Sequence, residues 1–225
     1  MKKIDFDKYA DDYDELTRKN VNFFSSDDFY FARVKIDLIK TYIKQEPKRI
    51  LEYGAGVGRN LPFLMGYFPA SEIWACDISE KSLRKINKNY PEVKTFLLDK
   101  GLSQECGVFD LILIAGVFHH IEPAIRGAVA AHAVSLMSDQ SELFIFEHNP
   151  YNPVTRRLVD RCPYDGDAVL LKPVEVRSLL IGGGLNVKQT GYYLFFPPSL
   201  KLSKLENLLS SIPLGGQYFV SATKE

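Results

Sequence analysis

The sequence lacks several features that would mark a particular class of protein. Its three cysteines, Cys76, Cys106 and Cys162, are widely spaced and form no CxxC pair. This spacing argues against a disulfide framework or a cysteine zinc site and favours a reducing, cytoplasmic location. No apolar run approaches the roughly 18 residues that a membrane-spanning helix requires. The amino terminus enters charged residues at once, without the apolar segment of a secretory signal.

An excess of either charge is also missing. The 28 basic and 28 acidic side chains give a formal net charge of +0, so no general attraction to nucleic acid or to an anionic membrane is expected. A chain of 225 residues suits one hydrophobic core. Because neither a repeat nor a linker interrupts it, we treat residues 1–225 as a single domain.

The segment Phe6–Gln45 has a helical pattern. Its apolar residues recur at steps of three and four and so share one face of a helix: Phe29, Ala32, Ile36, Ile39 and Ile43. Pro47 ends the segment, because proline disfavours helical geometry in the residue before it.

Short apolar runs and helical stretches then alternate along the chain. Strands are predicted at Arg49–Tyr53, Glu72–Cys76, Lys94–Leu98, Asp110–Gly116 and Glu142–Glu147. Helices are predicted at Asn60–Tyr67, Glu80–Lys88 and Pro123–Met137. The run 111–114 is apolar at every position, which is typical of a strand covered on both faces. The alternation predicts right-handed crossovers and an open parallel sheet.

The carboxyl-terminal part departs from this alternation. A helix is predicted at Pro173–Ile181, followed by strands at Asn186–Phe196 and Gln217–Ala222. Prolines interrupt the strand pattern between the two, which favours an antiparallel pair at one edge of the sheet. We therefore predict an α/β, Rossmann-like sheet of seven strands, mostly parallel, with helices on both faces and the last strand pair antiparallel.

A glycine-rich turn, Gly54–Gly58, leaves the first predicted strand. Such turns lie where open parallel sheets bind ligands, and glycine lets the backbone approach a ligand closely. The glycines run GxGxG, whereas a dinucleotide fingerprint runs GxGxxG and would need a glycine at Arg59. Glu52 precedes the first glycine by two residues. Its carboxylate would accept hydrogen bonds from backbone N–H groups or from the ammonium of an amino acid.

Acidic residues also end the next two predicted strands. Asp77 follows the second strand, where a carboxylate commonly binds the hydroxyls of a ribose. Asp99 ends the third strand and would accept a hydrogen bond from an adenine amino group. Structural alternatives stay open, namely a glycine turn without a ligand, a helix cap at Asp77 and a turn residue at Asp99.

In this order the motifs resemble those of the class I, Rossmann-like methyltransferases that use S-adenosylmethionine (SAM). The segment Glu52–Gly58 is similar to their first motif, Asp77 to the acid that ends their second strand, and Phe96–Asp99 to their adenine-side motif. Phe109–Ile112 and Val117–Ile121 are similar to their fourth strand and the turn beyond it. Lys100-Gly101 departs from the family pattern after Asp99.

The resemblance implies SAM as the cofactor and methyl transfer as the reaction. The cofactor-binding residues that it implies are Glu52, Gly54, Ala55, Gly56, Gly58, Asp77, Ile78, Asp99 and Tyr13. Residues 1–46 would form a helical amino-terminal lid, because Phe6–Asp14 is similar to the lid helix of quinone-biosynthesis methyltransferases. In that lid Tyr9 or Tyr13 would cover the methionine end of the cofactor, and a packing role is the alternative.

The acceptor is expected beside the ends of the fourth and fifth strands. His119, His120 and His148 are candidate general bases there, since histidine titrates near neutral pH. Residues 147–172 would form the acceptor wall. They resemble methyltransferases found with surface-polysaccharide enzymes more than the quinone or steroid branches. We expect no metal site at these histidines and Glu147, because neighbours on an extended strand point to opposite faces.

The sequence thus predicts an enzyme that transfers a methyl group from SAM to an O or N atom of a small molecule or glycan precursor. No nucleic-acid partner and no membrane insertion are expected, and the oligomeric state is unknown. Two alternatives stay open. One is a catalytically silent SAM-binding partner or sensor, and the other is an NAD(P)-dependent oxidoreductase, which the missing third glycine disfavours.

Overall fold

The computed structural model describes residues 4–9, 15–16, 18, 22–98 and 106–224, and its centre is a seven-stranded sheet. The strand order is β3-β2-β1-β4-β5-β7-β6. The strands are β1 Arg49–Tyr53, β2 Glu72–Asp77, β3 Lys94–Leu97, β4 Phe109–Ala115, β5 Met137–His148, β6 Asn186–Tyr193 and β7 Gln217–Thr223.

Helices connect most of the strands. They are α1 Tyr30–Tyr42, α2 Leu61–Tyr67, α3 Glu80–Asn89, α4 Arg126–Ser135, α5 Pro153–Arg161, α6 Pro173–Gly182 and α7 Ser203–Leu209. Short 3-10 turns at Phe118–His120 and Pro163–Asp165 carry residues of the candidate site. None of the helices in the described part of the chain has both the length and the apolar character needed to cross a bilayer.

The sheet has the predicted Rossmann-like topology. Strands β1 to β5 pair in parallel, whereas β7 pairs antiparallel with both β5 and β6. Winding changes direction between the adjacent strands β1 and β4, and in open α/β sheets the crevice beyond the carboxyl ends at such a point binds ligands. The topology therefore predicts a ligand site beside the residues that follow β1, β2, β4 and β5.

Burial explains why the central strands could be recognised in the sequence. Leu111, Ile112, Leu113 and Ile114 of β4 are all 0% exposed, since both faces of the sheet are covered. On α1 the predicted face is buried at Ala32, Ile36 and Ile39. These apolar faces form two core layers, one on each side of the sheet.

The amino-terminal segment is not the continuous helix Phe6–Gln45 that the periodicity predicts. Residues 22–29 form turns, and α1 begins only at Tyr30. In these turns Ser25 Oγ accepts a hydrogen bond from the Asp27 N–H, and Asp27 Oδ1 accepts one from the Phe29 N–H. Such local bonds from side chain to backbone compete with helix formation, which periodicity alone does not weigh.

Three other elements differ from the predicted ones by more than one residue at a boundary. Strand β5 begins at Met137, before an irregular stretch in which Gln140 has a φ of 62°. Strand β6 ends at Tyr193, because Leu194 has a φ of 63° and turns the chain. The predicted helix Pro123–Met137 is instead a 3-10 turn at Pro123–Ile125 followed by α4, and Met137 belongs to β5.

The aromatic side chains on one face of the paired strands β5 and β7 provide a test of the core. Phe144 is fully buried and stacks on Phe146 and Phe219. We expect Phe144→Ala to lower the free energy of unfolding by about 3–5 kcal/mol, because it removes buried surface and leaves a cavity. Leu208→Ala, at an exposed residue of α7, should change it by about 0.5 kcal/mol or less. Urea denaturation measures both, and equal effects of the two substitutions would contradict this description of the core.

Candidate cofactor and acceptor site

The glycine turn lies at the carboxyl end of β1 and is anchored to β2. The backbone N–H groups of Gly54 and Ala55 both donate to the carbonyl of Cys76, at 2.8 and 2.9 Å. Gly54 has a φ of +75°, and a Cβ there would lie 2.5 Å from Val117 Cγ2. Gly56, with a φ of +54°, has no atom within 4 Å of a Cβ position. The turn is therefore closed at Gly54 and open at Gly56, where a ligand has room beside the backbone.

Glu52 is the buried acid of this turn, with 1% of its surface exposed. Its Oε1 accepts a hydrogen bond from Asn60 Nδ2 at 2.5 Å, so the Asn60 side chain holds Glu52 instead of capping α2. Among the described residues, no donor lies within hydrogen-bonding distance of Glu52 Oε2. Burial raises the pKa of Glu52 to about 8. A buried carboxylate oxygen that lacks a hydrogen-bond partner fits the ammonium group of SAM, which would supply the missing donor.

Asp77 joins the glycine turn to the start of α3. Its Oδ2 accepts from the Gly56 N–H at 2.7 Å, and its Oδ1 accepts from the Ser79 N–H at 2.8 Å. Burial raises the pKa of Asp77. Ser79 caps α3 through the Ser82 N–H, so Asp77 is not needed as the helix cap. The carboxylate lies against the turn, and each of its oxygens retains a lone pair for a ribose hydroxyl.

Four predicted cofactor residues remain, namely Ile78, Gly58, Asp99 and Tyr13. Ile78 follows Asp77 and is 52% exposed, which leaves an apolar surface beside the turn. Asp99 and Tyr13 lie outside the described residues. The remaining glycine, Gly58, has a φ of +84°, and a Cβ there would lie 2.8 Å from Leu61.

The described part of the amino-terminal segment, residues 4–9, lies across this end of the sheet. Asp7 Oδ1 accepts from Ser79 Oγ at 2.5 Å, beside the cofactor side. The ring of Phe6 contacts His120 edge-on at 4.9 Å, and the Ile4 N–H donates to Asp167 Oδ2 at 2.9 Å. The segment thus spans the distance between the cofactor-side turn and residues 147–172.

The histidines that follow β4 are brought together instead of being separated. His119 and His120 lie in a 3-10 turn, and their ring centroids are 4.1 Å apart. The expectation that they point to opposite faces is wrong, because it assumed an extended chain. The ring of His148, at the end of β5, lies 5.0 Å from that of His119. All three candidate bases therefore belong to one cluster, the histidine cluster.

Carboxylates orient the first two members of this cluster. Since a carboxylate only accepts, His119 Nδ1 donates to Glu147 Oε2 at 2.6 Å and His120 Nδ1 donates to Asp167 Oδ1 at 2.9 Å. Both Nε2 atoms face the same oxygen, Asp165 Oδ1, at 3.8 and 3.4 Å. In its neutral form an imidazole held in this way offers its Nε2 lone pair, which binds a proton or, once that proton is displaced, a metal ion.

Burial and charge set the protonation of the cluster. Burial alone would lower the pKa of His119, but the carboxylates of Glu147 and Asp165 outweigh it and raise that pKa to about 10. For Glu147, burial favours the neutral acid, yet the pairing with His119 lowers its pKa. Burial and the His119 charge lower the pKa of His148 to about 4. His148 is therefore neutral at physiological pH.

The tautomer of His148 follows from its neighbours. Tyr193 donates its hydroxyl to Gln217 Oε1 at 2.5 Å, which orients the amide so that Gln217 Nε2 faces His148 Nδ1 at 3.4 Å. His148 Nδ1 is then an acceptor, and its proton lies on Nε2. In this geometry His148 Nε2 is a hydrogen-bond donor.

Several residues of the site were not among the candidates from the sequence. They are Asn60, Val117, Asp165, Asp167, Tyr193 and Gln217. The acidic pair that flanks Gly166 was the one available signal, because two acids around a glycine mark a polar turn. Nothing in the sequence indicates that this turn faces the histidines.

Known proteins provide an independent comparison. Residues 51–143 match the family model described as a methyltransferase domain. No curated protein has significant sequence similarity to this chain. Among solved structures, a SAM-dependent methyltransferase from Thermotoga maritima is similar at a TM-score of 0.70 and 14% identity, covering 98% of each chain.

Two further structures share the architecture. A SAM-dependent methyltransferase from Archaeoglobus fulgidus has a TM-score of 0.68 at 16% identity, covering 94% of this chain and 99% of its own. The magnesium protoporphyrin IX methyltransferase from Synechocystis PCC 6803, solved with bound SAM, has a TM-score of 0.62 at 16% identity, covering 99% and 98%. The chain therefore has the fold of the class I, SAM-dependent methyltransferases, and its residues 51–143 match a methyltransferase domain.

Proposed function

We propose that this protein transfers the methyl group of SAM to an O or N atom of a small molecule or glycan precursor. The observation that carries the proposal is the buried Oε2 of Glu52, which has no hydrogen-bond partner in the described part of the chain and lies beside the open glycine turn. A purely structural turn would gain nothing from a buried carboxylate with an unsatisfied oxygen, because such an oxygen costs free energy.

On the cofactor side, each residue has a distinct task. Glu52 binds the ammonium group, and the backbone of the turn from Gly54 through Ala55 and Gly56 to Gly58 approaches the ligand. Asp77 accepts hydrogen bonds from the ribose, and Ile78 provides apolar surface for the adenine. Asp99 and Tyr13 keep the adenine-side and lid roles that the family resemblance implies for them.

The histidine cluster faces the acceptor side. When bound, SAM supplies a methyl group activated by its sulfonium. The chain must then hold the acceptor atom in line with that methyl group and exclude water, which contributes several kcal/mol to lowering the barrier. His148 donates a hydrogen bond to the acceptor, and His120, held by Asp167, presents a basic nitrogen. His119 is buried and positions the other two through its contacts with both.

Residues 147–172 form the wall against which the acceptor binds. They run from the end of β5 through α5 to the turn that carries Asp165 and Asp167. Their resemblance to methyltransferases associated with surface polysaccharides supports a glycan precursor, and the neutral net charge disfavours a nucleic acid. The three cysteines are free and buried, which supports a cytoplasmic location.

The first test is isothermal titration with SAM. We expect Glu52→Gln to weaken SAM binding by roughly 10- to 100-fold, because it removes a charged hydrogen bond and keeps the side-chain shape. Glu46→Gln, at an exposed glutamate before β1, serves as the matched control and should bind as the wild type does. No binding by the wild type at millimolar SAM, or equal binding by both variants, would contradict the cofactor assignment.

SAM binding should also release a proton near pH 7. In the free protein burial holds the pKa of Glu52 near 8, so its carboxyl is mostly protonated at pH 7. An ammonium partner favours the carboxylate and lowers that pKa, and the complex therefore holds fewer protons than the free protein. Affinity should rise with pH up to about 8. Titrations in buffers of different ionisation enthalpy measure the released proton, and Glu52→Gln should abolish its release.

Turnover distinguishes an enzyme from a silent SAM-binding sensor. We expect S-adenosylhomocysteine to form when the protein and SAM are incubated with a fractionated metabolite extract. His120→Ala should lower kcat by roughly 100-fold or more, because it removes the basic nitrogen on the acceptor side. His132→Gln alters the one histidine outside the cluster and should retain activity. A wild-type protein that binds SAM but methylates no fraction would favour the sensor.

A further inference from the structure

The arrangement around Asp165 goes beyond what acid–base chemistry requires. His119 and His120 each donate Nδ1–H to a separate carboxylate, and both direct Nε2 toward Asp165 Oδ1. The three potential ligand atoms all lie within 4.8 Å of one another. Two carboxylate–histidine pairs that converge on a third carboxylate are the arrangement in which proteins hold metal-ligating histidines.

The distances within this group suit an intervening ion better than direct hydrogen bonds. The two gaps to Asp165 Oδ1, 3.8 and 3.4 Å, exceed the usual N–H···O range. With metal–ligand bonds of about 2.0–2.2 Å, donor atoms around a tetrahedral ion are separated by roughly 3.4 Å. The two distances to Asp165 Oδ1 are close to that value, and the three residues offer ligand atoms within 4.8 Å of one another, so the imidazole rings would turn inward to complete the coordination.

We infer that His119 Nε2, His120 Nε2 and Asp165 Oδ1 bind a divalent transition-metal ion of the Zn²⁺ type. Two imidazoles and one carboxylate suit Zn²⁺, Co²⁺ or Fe²⁺, whereas Mg²⁺ and Ca²⁺ take oxygen ligands. Glu147 and Asp167 orient the two histidines from behind and are positioning residues. Both carboxylates are already engaged by other donors, namely the Phe118 N–H for Glu147 and the Ile4 N–H for Asp167.

A three-ligand site leaves coordination positions for another molecule. His120 is 13% exposed, whereas His119 is 2% exposed, so the site opens on the His120 side. Phe6 covers that side edge-on, and the amino-terminal segment would therefore control access. If the proposed methyl transfer is correct, the open position would hold the acceptor and lower the pKa of its hydroxyl, with the proton released to water. His120 would then serve as a metal ligand in place of the base role, and loss of the ligand would lower kcat in His120→Ala. Only this role in catalysis rests on the proposed function, because metal binding does not require SAM.

The test is a Co²⁺ titration of the untagged, full-length chain without SAM, followed by visible absorption. We expect one Co²⁺ per chain, displaced by Zn²⁺ but not by Mg²⁺. His120→Ala and Asp165→Asn should weaken binding by at least about ten-fold through loss of a ligand. Asp167→Asn keeps all three ligands and should weaken it by about 10- to 100-fold through loss of orientation. His132→Gln removes a histidine outside the cluster and should bind Co²⁺ as the wild type does.

The outcomes separate the metal site from the methyltransferase assignment. Circular dichroism identifies variants that fail to fold, and if Asp165→Asn is one of them, Asp167→Asn decides. No Co²⁺ binding by the wild type, or affinity unchanged in both His120→Ala and Asp167→Asn, would overturn the metal site. The SAM titration of His120→Ala should match the wild type, so failure of the metal site leaves the cofactor result intact.

Discussion

The buried carboxylate of Glu147 is the group on which the histidine cluster depends. It accepts hydrogen bonds from the backbone N–H groups of Val117 and Phe118 and from His119 Nδ1. A buried charge is stable only when it is paired and hydrogen-bonded, and removing one member of such a pair costs about 3–5 kcal/mol. These bonds hold the chain after β4 in a turn, and the turn brings His119 and His120 onto one side.

The same turn also limits the cofactor half. Val117 follows β4 and packs against Gly54 so closely that a Cβ at Gly54 would lie 2.5 Å from it. Glu147 accepts a hydrogen bond from the Val117 N–H. Gly54 begins the glycine turn, and Asp77 accepts a hydrogen bond from the Gly56 N–H of the same turn. The glycine turn and the histidine cluster therefore meet at one contact between the ends of β1 and β4. Under the proposed function, the methyl group would travel a short distance at the carboxyl edge of the sheet.

Much of the fold could be predicted because buried parallel strands have a local signature. Strand β4 was recognised from a continuous apolar run, since helices cover both faces of the sheet there, and β1 to β3 from short apolar runs that alternate with helical stretches. The prediction of one continuous helix at Phe6–Gln45 was wrong because the side chains of Ser25 and Asp27 accept hydrogen bonds from nearby backbone N–H groups. These bonds compete with the helix, and the spacing of apolar residues does not reveal them. Helix α7 was missed because seven residues carry too little periodicity to distinguish a helix from a loop.

For the site, the sequence by itself determined which chemical groups stand at the ends of the strands. The predicted strand boundaries place Glu52, Asp77 and His148 at or near strand ends. The carboxyl ends of parallel strands lie at one edge of the sheet, so these groups are expected at that edge. Only the tertiary structure decided which groups face each other. Asp167 lies 47 residues beyond His120 along the chain, yet the two side chains are 2.9 Å apart. The direction of a side chain in a 3-10 turn, and the proximity of distant loops, depend on packing and on buried charge pairing that no local pattern encodes.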